Sequence, residues 1–450
     1  MKVTIIGAGY VGLTTAAAMA YTGHEVHCID KDTELIKELR KGNVHFHEPG
    51  IIELLSMELS LSFGDWETFD RGSDLIFIAV GTPPKSNGDA DLAYIELAAY
   101  EIGRRAANVA HINVVIKSTV PVGTAQKVQS IISQVRLKSG DMDASVTVAS
   151  NPEFLREGAA LFDTFYPGRI VVGSESSGLI DMLDKLYKPI LTQTISPPAF
   201  LPRPKKTITP AFISTTTASA ELIKYASNAF LAMKISFINE FAGLAEFLGA
   251  DIEDVAMGIG LDRRIGPEYL QAGVGWGGSC FGKDIGTTLA TAKKYDYNMH
   301  LLEATVMVNN RQREAIIEKL VRQLKEIRGA NIGILGVSFK PETDDVRDAP
   351  FLAISRMLHK LGANVKAHDP VAVSNCMRKH PQLPVTYCNE PEEAAENADA
   401  LLILTEWEQY QTLNYAAIGQ IMRQKLLIDG RNMLNSEQMR QAGFIYIGVG

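Results

Sequence analysis

Two runs of short apolar strands alternating with helical stretches, 2–172 and 331–429, with one amphipathic helix of roughly thirty residues between them, predict an α/β chain. The expected architecture is an N-terminal Rossmann domain, a central long-helix region and a C-terminal Rossmann-like domain. At 450 residues the chain is too long for a single core. Its expected parts are an N-terminal Rossmann domain (1–195), a proline-rich connection (196–214), a central helical domain (215–315) and a C-terminal Rossmann-like domain (316–450).

The first strand, 2–6, runs straight into Gly7-Ala8-Gly9-Tyr10-Val11-Gly12, followed by an alanine-rich helix and a second strand that ends at Asp30. This is a βαβ unit with G-x-G-x-x-G at its turn. The glycines permit the tight turn and the approach of a pyrophosphate to the helix N-terminus, where unpaired N–H groups favour an anion. Asp30 would accept from the ribose hydroxyls and repel a 2′-phosphate, so NAD is expected rather than NADP. Further strands are expected at 74–80, 112–117, 146–149 and 169–172. Two of them end in polar turns, 118–121 and 151–154, where open α/β sheets place their ligands.

Residues 196–210 hold five prolines together with Arg203, Lys205 and Lys206, and predict an extended surface connection. From 218 to 248 the positions Leu222, Ala226, Phe230, Met233, Phe237, Phe241, Leu244 and Leu248 form one apolar stripe, on a helix long enough to span domains or subunits. Lys224 and Asn228 are four apart and share a face of it. A second α/β pattern follows at 331–336, 365–368, 401–404 and 426–429. It reads as half of a wound fold without the full glycine fingerprint, and Lys340 in its first loop suits a second nucleotide.

Cys280 lies among Gly277, Gly278, Ser279, Phe281, Gly282, Lys283 and Asp284. A thiol has no use in simple hydride transfer. It can add to an aldehyde, hold it through a second hydride loss and release the thioester to water, so thiol and dinucleotide together point from alcohol to acid.

Composition narrows the partners. A net charge of −8 argues against a general nucleic-acid surface, no segment is long and apolar enough for a bilayer, and a strand pattern from residue 2 predicts no signal peptide. Four sparse cysteines fit a reducing cytoplasm. No metal-ligand spacing appears, the His45/His47 pair having no partner cluster.

The strings at 7–12, 118–124, 151–158, 221–240, 262–266, 277–284 and 339–347 together resemble the UDP-glucose/GDP-mannose dehydrogenase family, most closely its UDP-glucose members, over nearly the whole chain. The resemblance implies four-electron oxidation of a nucleotide sugar, UDP-glucose first, with UDP-N-acetyl hexosamines and GDP-mannose as alternatives. It implies Cys280 as nucleophile and Lys224 as oxyanion stabiliser. Asn228 and Asp284 would handle water and protons, with Thr119 and Glu153 near the same water. Substrate contacts would come from Glu153, Phe154, Leu155, Arg156, Glu157, Lys224, Asn228, Tyr269, Leu270, Gln271, Gly273, Gly277, Phe281, Phe339, Lys340 and Arg431. Cofactor contacts would come from the glycine loop (Gly7, Gly9, Tyr10, Val11, Gly12), Asp30, Thr82, Thr119, Lys283 and Arg347. The central helix would form a homodimer or a larger homo-oligomer, with Arg264 reaching the neighbouring subunit's substrate. A single-step dehydrogenase of the 6-phosphogluconate kind would have no reason to keep Cys280 in this setting. A non-catalytic NAD sensor would have no reason to keep the polar set around it.

Overall fold

The computed structural model describes residues 1–141, 144–205 and 209–450. They divide into two compact units, one of Met1–Ala226 with Gly286–Thr291, the other of Ser227–Ile285 with Ala292–Gly450.

In the first unit eight strands make one sheet: β1 (Lys2–Ile6), β2 (Glu25–Ile29), β3 (Leu61–Gly64), β4 (Leu75–Ile78), β5 (His111–Ile116), β6 (Ser145–Ser150), β7 (Arg169–Gly173) and β8 (Ala211–Thr215). Their order is β3-β2-β1-β4-β5-β6-β7-β8, the first six parallel as in a dinucleotide-binding fold. The sequence pattern missed β3 and β8, which are short and half exposed. β7 runs antiparallel to β6, so it is not one more turn of the wound sheet. The inner strands β1, β4 and β5 read as largely apolar runs because both faces are covered. In β4, Leu75 and Phe77 enter one core while Ile76 and Ile78 enter another.

The second unit carries a six-stranded parallel sheet: β9 (Asn331–Leu335), β10 (Asn364–His368), β11 (Thr386–Tyr387), β12 (Ala400–Ile403), β13 (Leu426–Asp429) and β14 (Ile445–Ile447). The order β11-β10-β9-β12-β13-β14 repeats that of the first six strands. The expected half-wound fold is therefore complete, its outer strands being too short to show as periodicity. The turns match as well. Gly7 and Gly336 follow the first strand of each sheet with φ of +103° and +105°, a conformation open mainly to glycine. A Cβ there would stand 2.7 Å from the Ala79 carbonyl oxygen and 2.4 Å from Thr405 respectively.

The acidic residues after the second strands differ. Asp30 is half-buried and accepts from the N–H of Ala8 at 2.7 Å and of Asp32 at 3.0 Å. Asp369 is buried and accepts from six donors: the N–H groups of Val337, Ser338, Val371 and Ala372, the Ser338 hydroxyl and the Trp407 indole. A carboxylate offers about four lone-pair sites. Asp369 is full, whereas Asp30 has capacity left for ribose.

The helix Thr217–Leu248 is 32 residues long, about 48 Å, and the division between units falls within it, after Ala226. Its buried side is made of Ala220, Tyr225, Ala229, Ala232, Ile238, Ala242 and Ala245. The stripe read from periodicity faces outward, with Phe230 58% and Leu248 71% exposed, and Phe247 beside it is 85% exposed. No helix of the described residues is long and apolar enough to cross a membrane.

The described residues of the proline-rich segment form no regular element up to 210, but they pack on the first unit. The Tyr21 hydroxyl donates to the Ser196 carbonyl at 2.8 Å, the Tyr166 hydroxyl to that of Leu201 at 3.0 Å, and Arg203 to the carbonyls of Gln193 and Ile195. The Phe200 ring fills the space beside Gly50. Residues 211–214 of the expected connection belong to β8, and Lys206 lies outside the described residues. Exchanging 198–205 for a flexible link of equal length should lower the melting temperature by several degrees in scanning calorimetry, at ~2 °C or more per kcal/mol lost. An unchanged melting point would show these contacts to be idle.

Candidate active site

The residues expected in the site fall into sets built by each unit separately. In the first unit, the turn 7–12 leads into the helix Tyr10–Tyr21, whose first turn no side chain caps. Its N–H groups are left to an anion. A Cβ on Gly12 would lie 1.8 Å from the Gly7 carbonyl oxygen, while Gly9 faces open space. The loop is thus tight where it turns and bare where a pyrophosphate must approach. Asp30, Lys31, Trp66, Val80, Tyr94 and Leu97 help line an adjoining cavity of about 250 Å³, and the Lys31 ammonium stands 4.0 Å over the Tyr94 ring. Flat apolar walls beside an acceptor carboxylate suit an adenosine. NAD fits this set.

The Tyr10 side chain turns inward. Its hydroxyl donates to the Glu48 carboxylate and accepts from the Gly158 N–H at 2.6 Å, so it ties the glycine loop to the 154–158 segment rather than facing a cofactor. Only the Tyr10 backbone is left for that role. Val11 is half-buried, and the buried Thr82 hydroxyl donates to the Thr119 carbonyl at 2.8 Å, joining two loops at the strand ends.

After β6 the chain places Glu153 against Lys224 of the long helix. The pair is 3.0 Å apart and both side chains are buried. Burial alone would raise the Glu153 carboxyl. The Lys224 charge and the Leu155 N–H, which donates at 2.6 Å, hold it below the usual carboxylate range. Both Lys224 and Arg169 lie over the Phe154 ring, at 5.4 and 3.8 Å. Leu155 and Glu157 are half-buried, while Arg156 is exposed and tied to Asp163 at 2.7 Å. Sequence reasoning missed Lys117, Asn151 and Tyr187, which share a cavity of about 120 Å³ with Glu153. A lysine ending an apolar strand two residues before Thr119 was the available signal.

In the second unit, Asn228 Nδ2 donates to Asp284 Oδ2 at 2.6 Å and Lys283 Nζ to Asp284 Oδ1 at 2.6 Å, with Asp284 buried. Cys280 stands at the N-cap of the helix Phe281–Lys294, half-buried, its Sγ 3.3 Å from the Ser279 hydroxyl. The end of a helix that favours negative charge is where a thiolate is best held. The preceding glycines are required by crowding. A Cβ on Gly277 would meet the Asp348 carbonyl oxygen at 2.3 Å, and one on Gly278, at φ +90°, would meet the Phe339 ring at 2.7 Å.

Arg431 binds this unit's loops together, donating to the carbonyls of Leu404 and Phe339 at 2.8 and 3.1 Å and pairing with Glu406. Gly273 abuts the Gly430 carbonyl, Leu270 is buried and Gln271 exposed. Tyr269, with its ring 6.4 Å from that of Phe281, holds a φ of +65°, the kind of strained backbone found where ligands are gripped. Lys340 extends over Phe339. Arg347 pairs with Asp345 and Arg264 with Asp262, both arginines on the surface.

Comparison with known proteins agrees along the chain. Residues 1–191 match the NAD binding domain of the UDP-glucose/GDP-mannose dehydrogenase family, 218–311 its central domain and 333–436 its UDP binding domain. The chain belongs to this family. A UDP-glucose 6-dehydrogenase of Rhizobium meliloti (strain 1021) is 43% identical across all of the chain and 99% of the relative. UDP-glucose 6-dehydrogenase TuaD of Bacillus subtilis (strain 168) is 41% identical across all of the chain and 93% of its own length. Among solved structures, a UDP-glucose dehydrogenase from Pyrobaculum islandicum superposes with a TM-score of 0.87 at 36% identity, covering all of this chain and 97% of that one. Like the family's other members, the chain is an NAD-dependent nucleotide-sugar dehydrogenase.

Asp30→Ala should lower the preference for NAD over NADP, read as the ratio of kcat/KM values, by roughly tenfold or more, the weight of about 1.4 kcal/mol. An unchanged ratio would remove Asp30 from cofactor selection.

Proposed function

We propose that this chain oxidises C6 of UDP-glucose twice, through a thioester on Cys280, to give UDP-glucuronate. The observation that carries the proposal is Cys280 at a helix N-terminus one turn before a buried Asp284 that is bonded to both Asn228 and Lys283. UDP-glucose as substrate is supported by the relatives' names and by the UDP binding domain. NAD, held by the 7–12 turn and Asp30, would supply the hydride acceptor at each oxidation, two molecules per sugar.

The protein's residues have to manage charge and protons around those transfers. In the first oxidation the C6 hydroxyl gives its proton to solvent water as the hydride leaves, and the negative charge that develops on the C6 oxygen is stabilised by the Lys224 ammonium. The Cys280 thiolate then adds to the aldehyde carbon, forming a C–S bond and a thiohemiacetal oxyanion, whose charge the same ammonium would offset. Loss of the second hydride leaves a thioester. Asn228 and Asp284 orient a water toward the thioester carbon, and Glu153, kept ionised by Lys224, removes its proton. The C–S bond breaks, the thiolate returns, and the acid loses its remaining proton to solvent water and departs as the carboxylate.

The same proposal covers assembly. The outward stripe Phe230, Phe237, Phe241, Leu244 and Phe247 is apolar and continuous along one helix, and a second copy of the chain is the occupant we assign to it, with Arg264, whose side chain is 89% exposed, reaching the neighbour's substrate. All four cysteines are free thiols, which suits the cytoplasm.

Wild-type protein should form two NADH per UDP-glucose, and Cys280→Ala should make no UDP-glucuronate while its melting point and NAD binding are kept. Two NADH per sugar from Cys280→Ala at near wild-type rate would show that the acid arises without the thiol. Phe241→Glu should convert the dimer to monomer in light scattering, and a variant that stays dimeric would place the interface elsewhere.

A further inference from the structure

Lys117 follows β5 and Asn151 follows β6, at neighbouring positions of two paired parallel strands. The Lys117 Nζ donates to Asn151 Oδ1 at 3.2 Å and to the Tyr187 hydroxyl at 3.5 Å, and Tyr187 donates to the same Asn151 oxygen at 2.6 Å. All three side chains are buried. Asn151 is itself fixed by donating to the Val171 carbonyl at 2.8 Å. Among the described residues no carboxylate lies within 4 Å of Lys117, so its hydrogen bonds go to neutral oxygens. A cation buried with neutral partners is costly, up to several kcal/mol, and such a group persists where its charge acts on something.

The charge within reach is Glu153, which lines the same cavity of about 120 Å³. The groups facing Glu153 are Lys224 from the long helix, Lys117 from the end of β5, Tyr187 from the helix Ser177–Leu191, Arg169 from β7, and Asp163, which is neutralised by Arg156. We infer that Lys117 is a positioning residue for the proposed reaction: from behind, it keeps Glu153 ionised while Lys224 is engaged with the substrate oxygen. A carboxylate meant to take a proton from water must be ionised between turnovers, yet Lys224 is asked to serve the substrate. A second ammonium that never touches substrate removes that conflict. Burial, with Lys224 nearby, pushes Lys117 down to about 8 while Glu153 opposes the shift, and Lys117 in turn helps lower Glu153.

This inference rests on Glu153 acting as the base for water, and the test separates the two. In wild-type protein the acid limb of kcat against pH should report Glu153, and Glu153→Gln should abolish it. If that limb survives Glu153→Gln, the assignment of the base fails. Lys117→Gln, which can still donate to Asn151 and Tyr187, and Lys117→Met, which cannot, should both move the limb up by about one pH unit, the effect of one nearby charge. Lys117→Gln added to Glu153→Gln should change kcat less than about twofold. A limb lost in Glu153→Gln but unmoved in both Lys117 variants overturns the inference. A shift in Lys117→Met alone would mean that the hydrogen bonds, and not the charge, matter, and overturns it equally. Should neither Lys117 variant fold, side-chain carbon NMR of lysine-labelled protein decides. Lys117 should titrate near pH 8 and at lower pH in Glu153→Gln, since coupling is reciprocal; an unmoved midpoint refutes the link.

Discussion

The buried ion pair between Glu153 and Lys224 is the contact on which the rest of the first unit's chemistry depends. It joins the segment after β6 to the long helix at 3.0 Å, out of water. Breaking such a pair by removing one partner leaves an uncompensated charge and costs about 3–5 kcal/mol, so each residue holds the other in place. The pair also decides protonation. Without Lys224 burial would push the Glu153 carboxyl up, and with it the carboxylate stays ionised, as the proposed reaction requires. The Phe154 ring, with cations over it, and the Leu155 N–H on the Glu153 oxygen complete a support that leaves the pair little freedom.

Two sheets of the same strand order are put to different uses. In each, a left-handed glycine ends the first strand and its N–H donates to the last residue of the second, Gly7 to Ile29 and Gly336 to His368. What separates them is one carboxylate. Asp30 keeps unused lone pairs beside an open cavity, whereas Asp369 is consumed by six donors, one of them Trp407. The second sheet therefore keeps the scaffold of a dinucleotide site without its ribose anchor. That agrees with the match of residues 333–436 to a UDP binding domain.

Much of this was legible in the sequence because parallel strands buried on both faces leave unbroken apolar runs; β1, β4, β9 and β12 stood out for that reason. β3, β8, β11 and β14 lie toward sheet edges and are short or half exposed, so they leave no pattern. The stripe on the long helix showed in periodicity, but period cannot say which side is buried. Alanines fill the inner face and phenylalanines the outer. Among the candidate site residues, Cys280, Asp284, Asn228, Lys224 and Glu153 were indicated one by one by the strings around them; that Lys224 pairs with Glu153 and Asn228 with Asp284 was not. The inward turn of Tyr10 was not readable, since it depends on a partner 148 residues away; Lys117 showed only as a lysine ending an apolar strand, its partner Asn151 lying 34 residues on.

The central claim is that carbon becomes covalently bound to sulfur at residue 280. It is tested most directly by intact-mass measurement of Cys280→Ser protein incubated with UDP-glucose and NAD. An alkoxide leaves less readily than a thiolate, so the serine ester should hydrolyse slowly and accumulate. The account predicts a protein heavier by one uronyl nucleotide sugar. Unmodified protein that still produces UDP-glucuronate would contradict it.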